Sequence, residues 1–365
     1  MHGLARIAMN GRFRALLLAV ACFGTMLFAW IGAAIVALVT LRKGIQEGVW
    51  LLLWTGLPVL LLAKVSGDGS VLALLLGTSF LAIVLRSTVD LALSALASVA
   101  VALATGMGLL WFGQDLLTEL AQMFEQFFVS LEQQTASSGN QVVRLQPPTQ
   151  LQLAGMMGTA NGAMSFLCLA LARYWQASLY NPGGFGTEFR ELRFPKAIVF
   201  ALLFAGLAGA SVSLSFRSWA TAALLPLTIA GFSLLHAGAR VRGRGSFGLS
   251  LMYVTWLVFD AVKLLLVGFA VADALMDFRS RWNAGLSAGT NRRKIANDQN
   301  HEESTVHRQG EAGSVETDER GERSQSGAGE EGSHDSKSDQ YEERDGNSDG
   351  NSDGNSDNGN DSTRS

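Results

Sequence analysis

The chain alternates long apolar runs with short polar breaks. The runs are 15–41, 49–63, 70–85, 90–113, 151–173, 197–216, 218–238 and 249–272. Leucine and alanine dominate them, and none alternates apolar and polar residues with period two. Helices are therefore predicted rather than the strands of an outer-membrane barrel. Crossing hydrocarbon takes about 20 apolar helical residues, a length most of these runs meet. Runs 49–63 and 70–85 are short and must cross with little tilt or borrow from their flanks. Pro58 is tolerable there, because neighbouring helices in a membrane bundle can satisfy the carbonyl it frees. The predicted fold is all-α: a polytopic transmembrane helical bundle of about 7–9 segments over residues 1–284, then a disordered acidic low-complexity tail over 285–365.

Residues 114–134 carry a different pattern. Leu116, Leu117, Leu120, Met123, Phe124, Phe127, Phe128 and Leu131 recur at helical spacing, with acids on the other face. That is one amphipathic helix, lying at the outer interface or extending run 90–113. Interfacial helices usually have a basic polar face; this one is acidic, so attraction to anionic lipid is not its role. Thr135 to Gln150 read as a polar external linker ending in Pro147-Pro148.

Charge changes the picture by dividing the chain and orienting it. Residues 1–294 hold 22 Lys/Arg against 12 Asp/Glu, a net of +10, while residues 295–365 carry −13. The overall −3 therefore describes neither region. Lys/Arg-rich loops face the cytoplasm in membrane proteins. The N-terminus (Arg6, Arg12, Arg14), loop 173–196 and the Arg240-Val241-Arg242-Gly243-Arg244 loop read as cytoplasmic, and the acid-rich 114–150 as external. Four simple spans before residue 114 would contradict this by returning that loop to the inside. A helical hairpin in 15–41, broken near Gly24 or Gly32, removes the conflict; a single long tilted helix is the alternative. Arms of about 13 residues reach only about 20 Å, so they would be re-entrant or shielded by protein. Run 249–272 poses the same problem. As one span it would deliver the tail outside, whereas Arg279, Arg281, Arg292, Arg293 and Lys294 favour the inside.

The N-terminus imitates a signal peptide, but its apolar run far exceeds the roughly 7–15 residues of a signal core, so a retained segment is expected. Cys22 and Cys168 lie in apolar runs with no metal-ligand spacing and read as small buried residues. From Gly285 onward apolar residues almost vanish, ending in Asn-Ser-Asp-Gly repeats. Such a segment buries too little apolar area to offset its ordering entropy. Its spacing matches neither an EF-hand nor a calcium-binding β-helix.

Candidate chemistry is sparse. Asp260 and Lys263 fall near the middle of run 249–272, one helical turn apart. They read either as a proton-relay or substrate pair, or as a mutually neutralised structural pair. Asn161 sits between Gly158 and Gly162, a GxxxG, and reads as a bond across a close helix contact or as a ligand contact. His236 has no spaced second ligand and reads as interfacial. The stretch from Arg173 through Tyr174, Trp175, Tyr180, Asn181, Pro182, Gly183 and Gly184 to Arg190 and Arg193 combines an aromatic belt, a strong turn and mixed charge. It is an anchored cytoplasmic loop, a docking surface for a membrane or cytoplasmic partner, or a lid over a site. No phosphate loop, His-Glu-x-x-His or Gly-x-Ser-x-Gly element is present. The expectation is a non-enzyme with no cofactor, no metal and no nucleic-acid partner, living in the lipid bilayer.

Residues 169–185 (Leu-Ala-Arg-Tyr-Trp-Gln-Ala-Ser-Leu-Tyr-Asn-Pro-Gly-Gly-Phe), the following Glu-Leu-Arg-Phe-Pro-Lys and the N-terminal Ala-Leu-Val-Thr-Leu-Arg-Lys-Gly (37–44) resemble the YybS-like bacterial membrane proteins, a family of unknown function. The resemblance covers roughly residues 5–282. It implies a multi-pass protein of the bacterial inner membrane and a distant relation to the substrate-binding subunits of energy-coupling-factor transporters. Those subunits dock a coupling subunit through small-residue stripes, for which Ala29, Ala33 and Ala37 are the matching positions. Two functions follow as expectations. One is small-solute binding in transport, with a polar-lined cavity that includes Asn161 or Asp260. The other is envelope assembly through the 173–196 loop.

Overall fold

The computed structural model describes residues 2–137, 146–243, 246–282 and 284, and every regular element among them is helical. The expectations for the tail, for Arg244, for Arg292 to Lys294 and for the middle of the 135–150 linker lie outside the described residues.

After a short α1 (His2–Met9), the first apolar run folds as two helices, α2 (Arg12–Gly24) and α3 (Ala29–Lys43). Their turn, Thr25 to Phe28, holds Met26 at φ 49°. Phe23 then lies against Gly32, where a Cβ would stand 2.9 Å from the ring. The hairpin is thus broken just past Gly24, and Gly32 is a packing contact rather than the break. The arms, 13 and 15 residues long, are too short to cross about 30 Å of hydrocarbon alone. Protein shields α3: it packs on α1, α2, α4, α5 and α8, and Ala33 to Leu38 are fully buried. The Ala29, Ala33, Ala37 stripe is consumed by these internal contacts, so it offers no exterior surface to a coupling subunit.

α4 (Ile45–Ser66), α5 (Ser70–Thr88) and α6 (Leu91–Phe112) follow as long apolar helices. At 22 and 19 residues, α4 and α5 outgrow their apolar runs by borrowing from the flanks, and α4 carries Pro58 internally. The Asp90 carboxylate starts α6 by accepting the amides of Ala92 (2.7 Å) and Leu93 (3.3 Å). α7 (Gln114–Ser137) is the amphipathic helix, separated from α6 at Gly113. Leu117 buries against Leu153 and Ala154, whereas Met123, Phe124 and Phe127 stay exposed. α8 (Gln150–Tyr180) opens on a capping box between Thr149 and Gln152. Its 31 residues span about 46 Å, longer than the hydrocarbon is thick.

α9 (Gly184–Glu191) and α10 (Lys196–Val212) meet at a 70° bend. α11 (Arg217–Val241), α12 (Ser246–Val258) and α13 (Asp260–Met276) follow, with a 3-10 turn (Leu214–Phe216) before α11 and a short helical stretch over 278–282 after α13. Five helices are long and apolar enough to cross a membrane, or six if the α9–α10 pair is one span. The count falls below about 7–9 because runs 15–41 and 249–272 are each two short helices rather than one long one. These features describe a multi-pass helical membrane protein.

Two sets of contacts fix the ends of the bundle. At one end Arg12 pairs with Glu47, Arg86 donates to the Leu41 carbonyl (2.8 Å), and the Arg42 guanidinium sits 4.0 Å over the Tyr180 ring. At the opposite end Gln150 donates to Thr118 (3.0 Å), Gln152 to the Leu214 carbonyl (3.2 Å) and the Trp219 indole to the Leu151 carbonyl (2.9 Å). The first is the basic end.

The last apolar run also folds back. α12 leaves the basic end beside α11, with Tyr253 stacked on Phe232 at 4.8 Å and Trp256 edge-on to the same ring at 5.4 Å. The chain breaks at Phe259 and α13 returns. Leu266 packs on Gly231, Arg279 donates to the Arg190 carbonyl, and Arg242 approaches the Trp282 ring at 5.4 Å. Both ends of 249–272 therefore lie at the basic end. This removes the parity conflict the charges posed, and it puts Arg279 and Arg281 at the same end as Arg190 and Arg242.

Candidate functional site

The centre of the bundle is the α6–α8 seam, where small residues let two antiparallel helices approach. A Cβ on Gly158 would collide with the Ala102 carbonyl and stand 2.9 Å from the Gly106 amide nitrogen; on Gly162 it would stand 2.8 Å from the Ser98 carbonyl oxygen. Asn161 lies between these contacts and donates through Nδ2 to Thr105 Oγ1 at 2.8 Å. The bond across the interface is thus present, and the same residue also faces open space.

That space is a cavity of about 1290 Å³ in the half of the bundle away from the basic end, with Leu76, Phe80 and Met164 among its exposed lining residues. Its lining at that end includes the α2–α3 turn (Met26, Leu27), the α4–α5 turn (Gly67, Gly69) and the α6–α7 junction (Gly113). Asn161 and Thr105 line its depth. The expected polar lining is not found. Most of the wall is Leu, Ala, Gly, Met and Phe, and Lys64 is the one charged side chain among the described lining residues. Of the polar residues of α4, α5 and α6, only Lys64, Ser70 and Thr105 reach the wall; Thr55, Thr78, Ser79, Ser94 and Ser98 are buried elsewhere in the bundle.

The other intramembrane candidates change character. Asp260 is the first residue of α13, just after the break at Phe259, and so does not sit within one continuous helix. Its side chain lies outside the described residues; Lys263, one turn on, is exposed. His236 is held at Nδ1 by the Phe232 carbonyl (2.9 Å) and faces the Tyr253 hydroxyl (3.4 Å).

The proposed docking loop is partly a packed cap and partly exposed. Arg173 to Tyr180 are the last two turns of α8, because nothing breaks the helix before Asn181-Pro182-Gly183. Gly183 takes the left-handed conformation (φ 87°) that starts α9. Trp175 is fully buried, Arg173 pairs with Glu188 at 2.8 Å, and the Ser233 hydroxyl holds the Phe189 and Leu192 carbonyls. Arg190 has its pKa lowered by burial and then by Arg240. Exposed positions are Tyr174, Tyr180, Asn181, Pro182, Gly183 and Arg193; Gly184 is half-buried.

One charged constellation was not singled out in the sequence. Asp273 and Arg279 form an ion pair at 3.1 Å with side chains only 6% and 10% exposed. Burial lowers the Arg279 pKa, and Asp273 opposes that shift. The pair lines a second cavity, of about 460 Å³ at the basic end, with Arg193, Lys196 and Asp277. The available signal was a lone aspartate near the end of an apolar run, six residues before an arginine.

Among the described residues, no group of three or more His, Cys, Asp or Glu is placed to hold a metal ion. No family model, curated protein or solved structure matches the chain.

Proposed function

We propose that this is a transport-related, small-solute-binding protein of the bacterial inner membrane, and that the large cavity beside Asn161 is its solute site. The observation that carries this reading is the cavity itself. Its volume of about 1290 Å³ exceeds the roughly 300–1,000 Å³ usual for small-molecule pockets. An apolar wall with a few convergent polar groups (Asn161, Thr105, Ser70 and Lys64) is the usual make-up of such sites. The solute it suits has an apolar body and few hydrogen-bonding groups. The preference of Lys/Arg for the cytoplasmic side supports the basic end as the inner one, which leaves the cavity in the outer half of the bundle. The resemblance to YybS-like proteins supports the inner membrane as the location.

The competing reading, envelope assembly through residues 173–196, has fewer groups to use. The exposed positions there are Tyr174, Tyr180 to Gly183, Thr187, Glu191, Arg193, Pro195 and Lys196, and Arg193 among them is already paired with Asp277.

The test is binding of a polarity-sensitive naphthalene fluorophore to purified protein in mild detergent. Ala160 lines the cavity and is exposed, so Ala160→Phe should fill the space without straining a neighbour. Binding should fall at least tenfold in that variant and several-fold in Asn161→Leu. Equal binding by Ala160→Phe and the parent would remove the cavity as the site.

A further inference from the structure

We propose that the large cavity takes a long-chain amphiphilic anion of the fatty-carboxylate class, with its carboxylate at Lys64 and its chain running inward past Asn161. This rests on the cavity being the solute site, and it names the solute's chemistry. Lys64 lies in the last turn of α4 and is the one charged side chain among the described lining residues. None of the ion pairs among the described residues includes it. Asp68, the acid nearest to it in sequence, is outside the wall and turns Oδ1 to the Ser70 amide at 2.7 Å. A single cation set in an apolar wall fixes the orientation of a ligand that brings the opposite charge.

The length of the wall is a separate observation, and it asks for a chain. The lining runs along α5 from Gly69 to Phe80 and along α6 from Ala100 to Gly113. At 1.5 Å per residue these stretches are about 16 and 20 Å long. One leaflet's share of the hydrocarbon core is about 15 Å, so the wall is as long as a membrane acyl chain. Small residues keep it open along that length: Ala73, Gly77, Ala100, Ala104, Gly108 and Ala160. Thr105 lies about 12 Å below Gly113 along α6, partway down the wall. It and Asn161 already bond to each other at 2.8 Å, which lowers the cost of laying methylenes beside them.

Head and chain thus fall in one line, a cation at the outer end and an apolar wall reaching inward from it. One lysine matches one carboxylate. No arginine or second lysine stands among the described lining residues to hold a phosphate, so a free single-chain acid fits better than a phospholipid.

The test uses two probes that differ only in head charge, pyrenedodecanoic acid and pyrenedodecanol. They are titrated into the full chain, purified in a mild non-ionic detergent, above neutral pH. The parent protein should bind the acid about tenfold more tightly than the alcohol, the margin one charge-assisted contact supports. Lys64→Gln should remove that margin, and Lys64→Arg, which keeps the charge, should retain it. Unlabelled hexadecanoate should displace the acid far more effectively than hexanoate, because only the longer chain covers the wall. Phosphatidic acid displacing it as well as hexadecanoate does would overturn the single-chain assignment. Equal binding of acid and alcohol by the parent, with both lost in Ala160→Phe, would overturn the anion while leaving the cavity as the solute site. If Ala160→Phe bound both probes as the parent does, the site itself would be wrong, and the proposal with it.

Discussion

Gly158→Leu should prevent the bundle from assembling. The obstacle to any side chain there is backbone, the Ala102 carbonyl and the Gly106 amide, so no rotamer change can relieve it. Helices α6 and α8 would have to separate, taking with them the Asn161–Thr105 bond and the Gly162–Ser98 contact. Overpacking a core costs about 1–3 kcal/mol when side chains can shift, and more when they cannot. Against a total stability of about 5–15 kcal/mol, that removes much of the margin. The measurement is the yield of monodisperse protein in detergent and its melting temperature. Gly56→Leu on α4 is the control, because a Cβ there meets nothing within 4 Å. It should express and melt like the parent.

Arg279→Ala should be the most damaging single charge removal. It leaves the Asp273 carboxylate buried without its counter-charge, a defect that typically costs about 3–5 kcal/mol. It also frees the Arg190 carbonyl, so the α9 cap loses its tie to the end of α13. The paired replacement Asp273→Leu with Arg279→Met should recover the part of the loss that comes from the unpaired carboxylate, since a buried ion pair exchanged for apolar packing is often neutral, but not the part from the Arg190 carbonyl. Thermal melts of the three proteins decide the matter. A single variant as stable as the parent would show that the pair is not closed in the folded protein.

The helices that cross the bundle were legible because apolar composition alone marks them. α4, α5, α6, α8 and α11 all fall on runs visible in the sequence. The amphipathic α7 was equally plain, since its period is its pattern. Breaks inside apolar runs were harder to read. Charge parity demanded one in 15–41 and Gly24 hinted at its place. Nothing in Val258-Phe259-Asp260 marks a break comparably, because the contacts of α11 with Tyr253, Trp256 and Leu266 hold the two halves side by side. Asn161 was legible as an isolated polar residue between glycines. Lys64 was not, because its place in the cavity wall depends on which helices come together around it. The Asp273–Arg279 pair was hidden for a similar reason. It is closed by the left-handed turn at Asp277 (φ 49°), a conformation that neighbouring residue types do not signal. Trp175 and Arg173 looked like docking residues because aromatic and basic side chains mark both surfaces and belts; packing decided that they face inward.

The account turns on which ends share a side. Single cysteines at Leu27, Phe127, Asn181 and Arg281, all exposed, can be placed in a chain whose Cys22 and Cys168 have been replaced, and labelled in sealed vesicles with an impermeant maleimide. Leu27 and Phe127 should react from one face of the membrane, and Asn181 and Arg281 from the other. Labelling of Arg281 together with Phe127 would mean that 249–272 crosses as a single helix, and the folded-back bundle described here would be wrong.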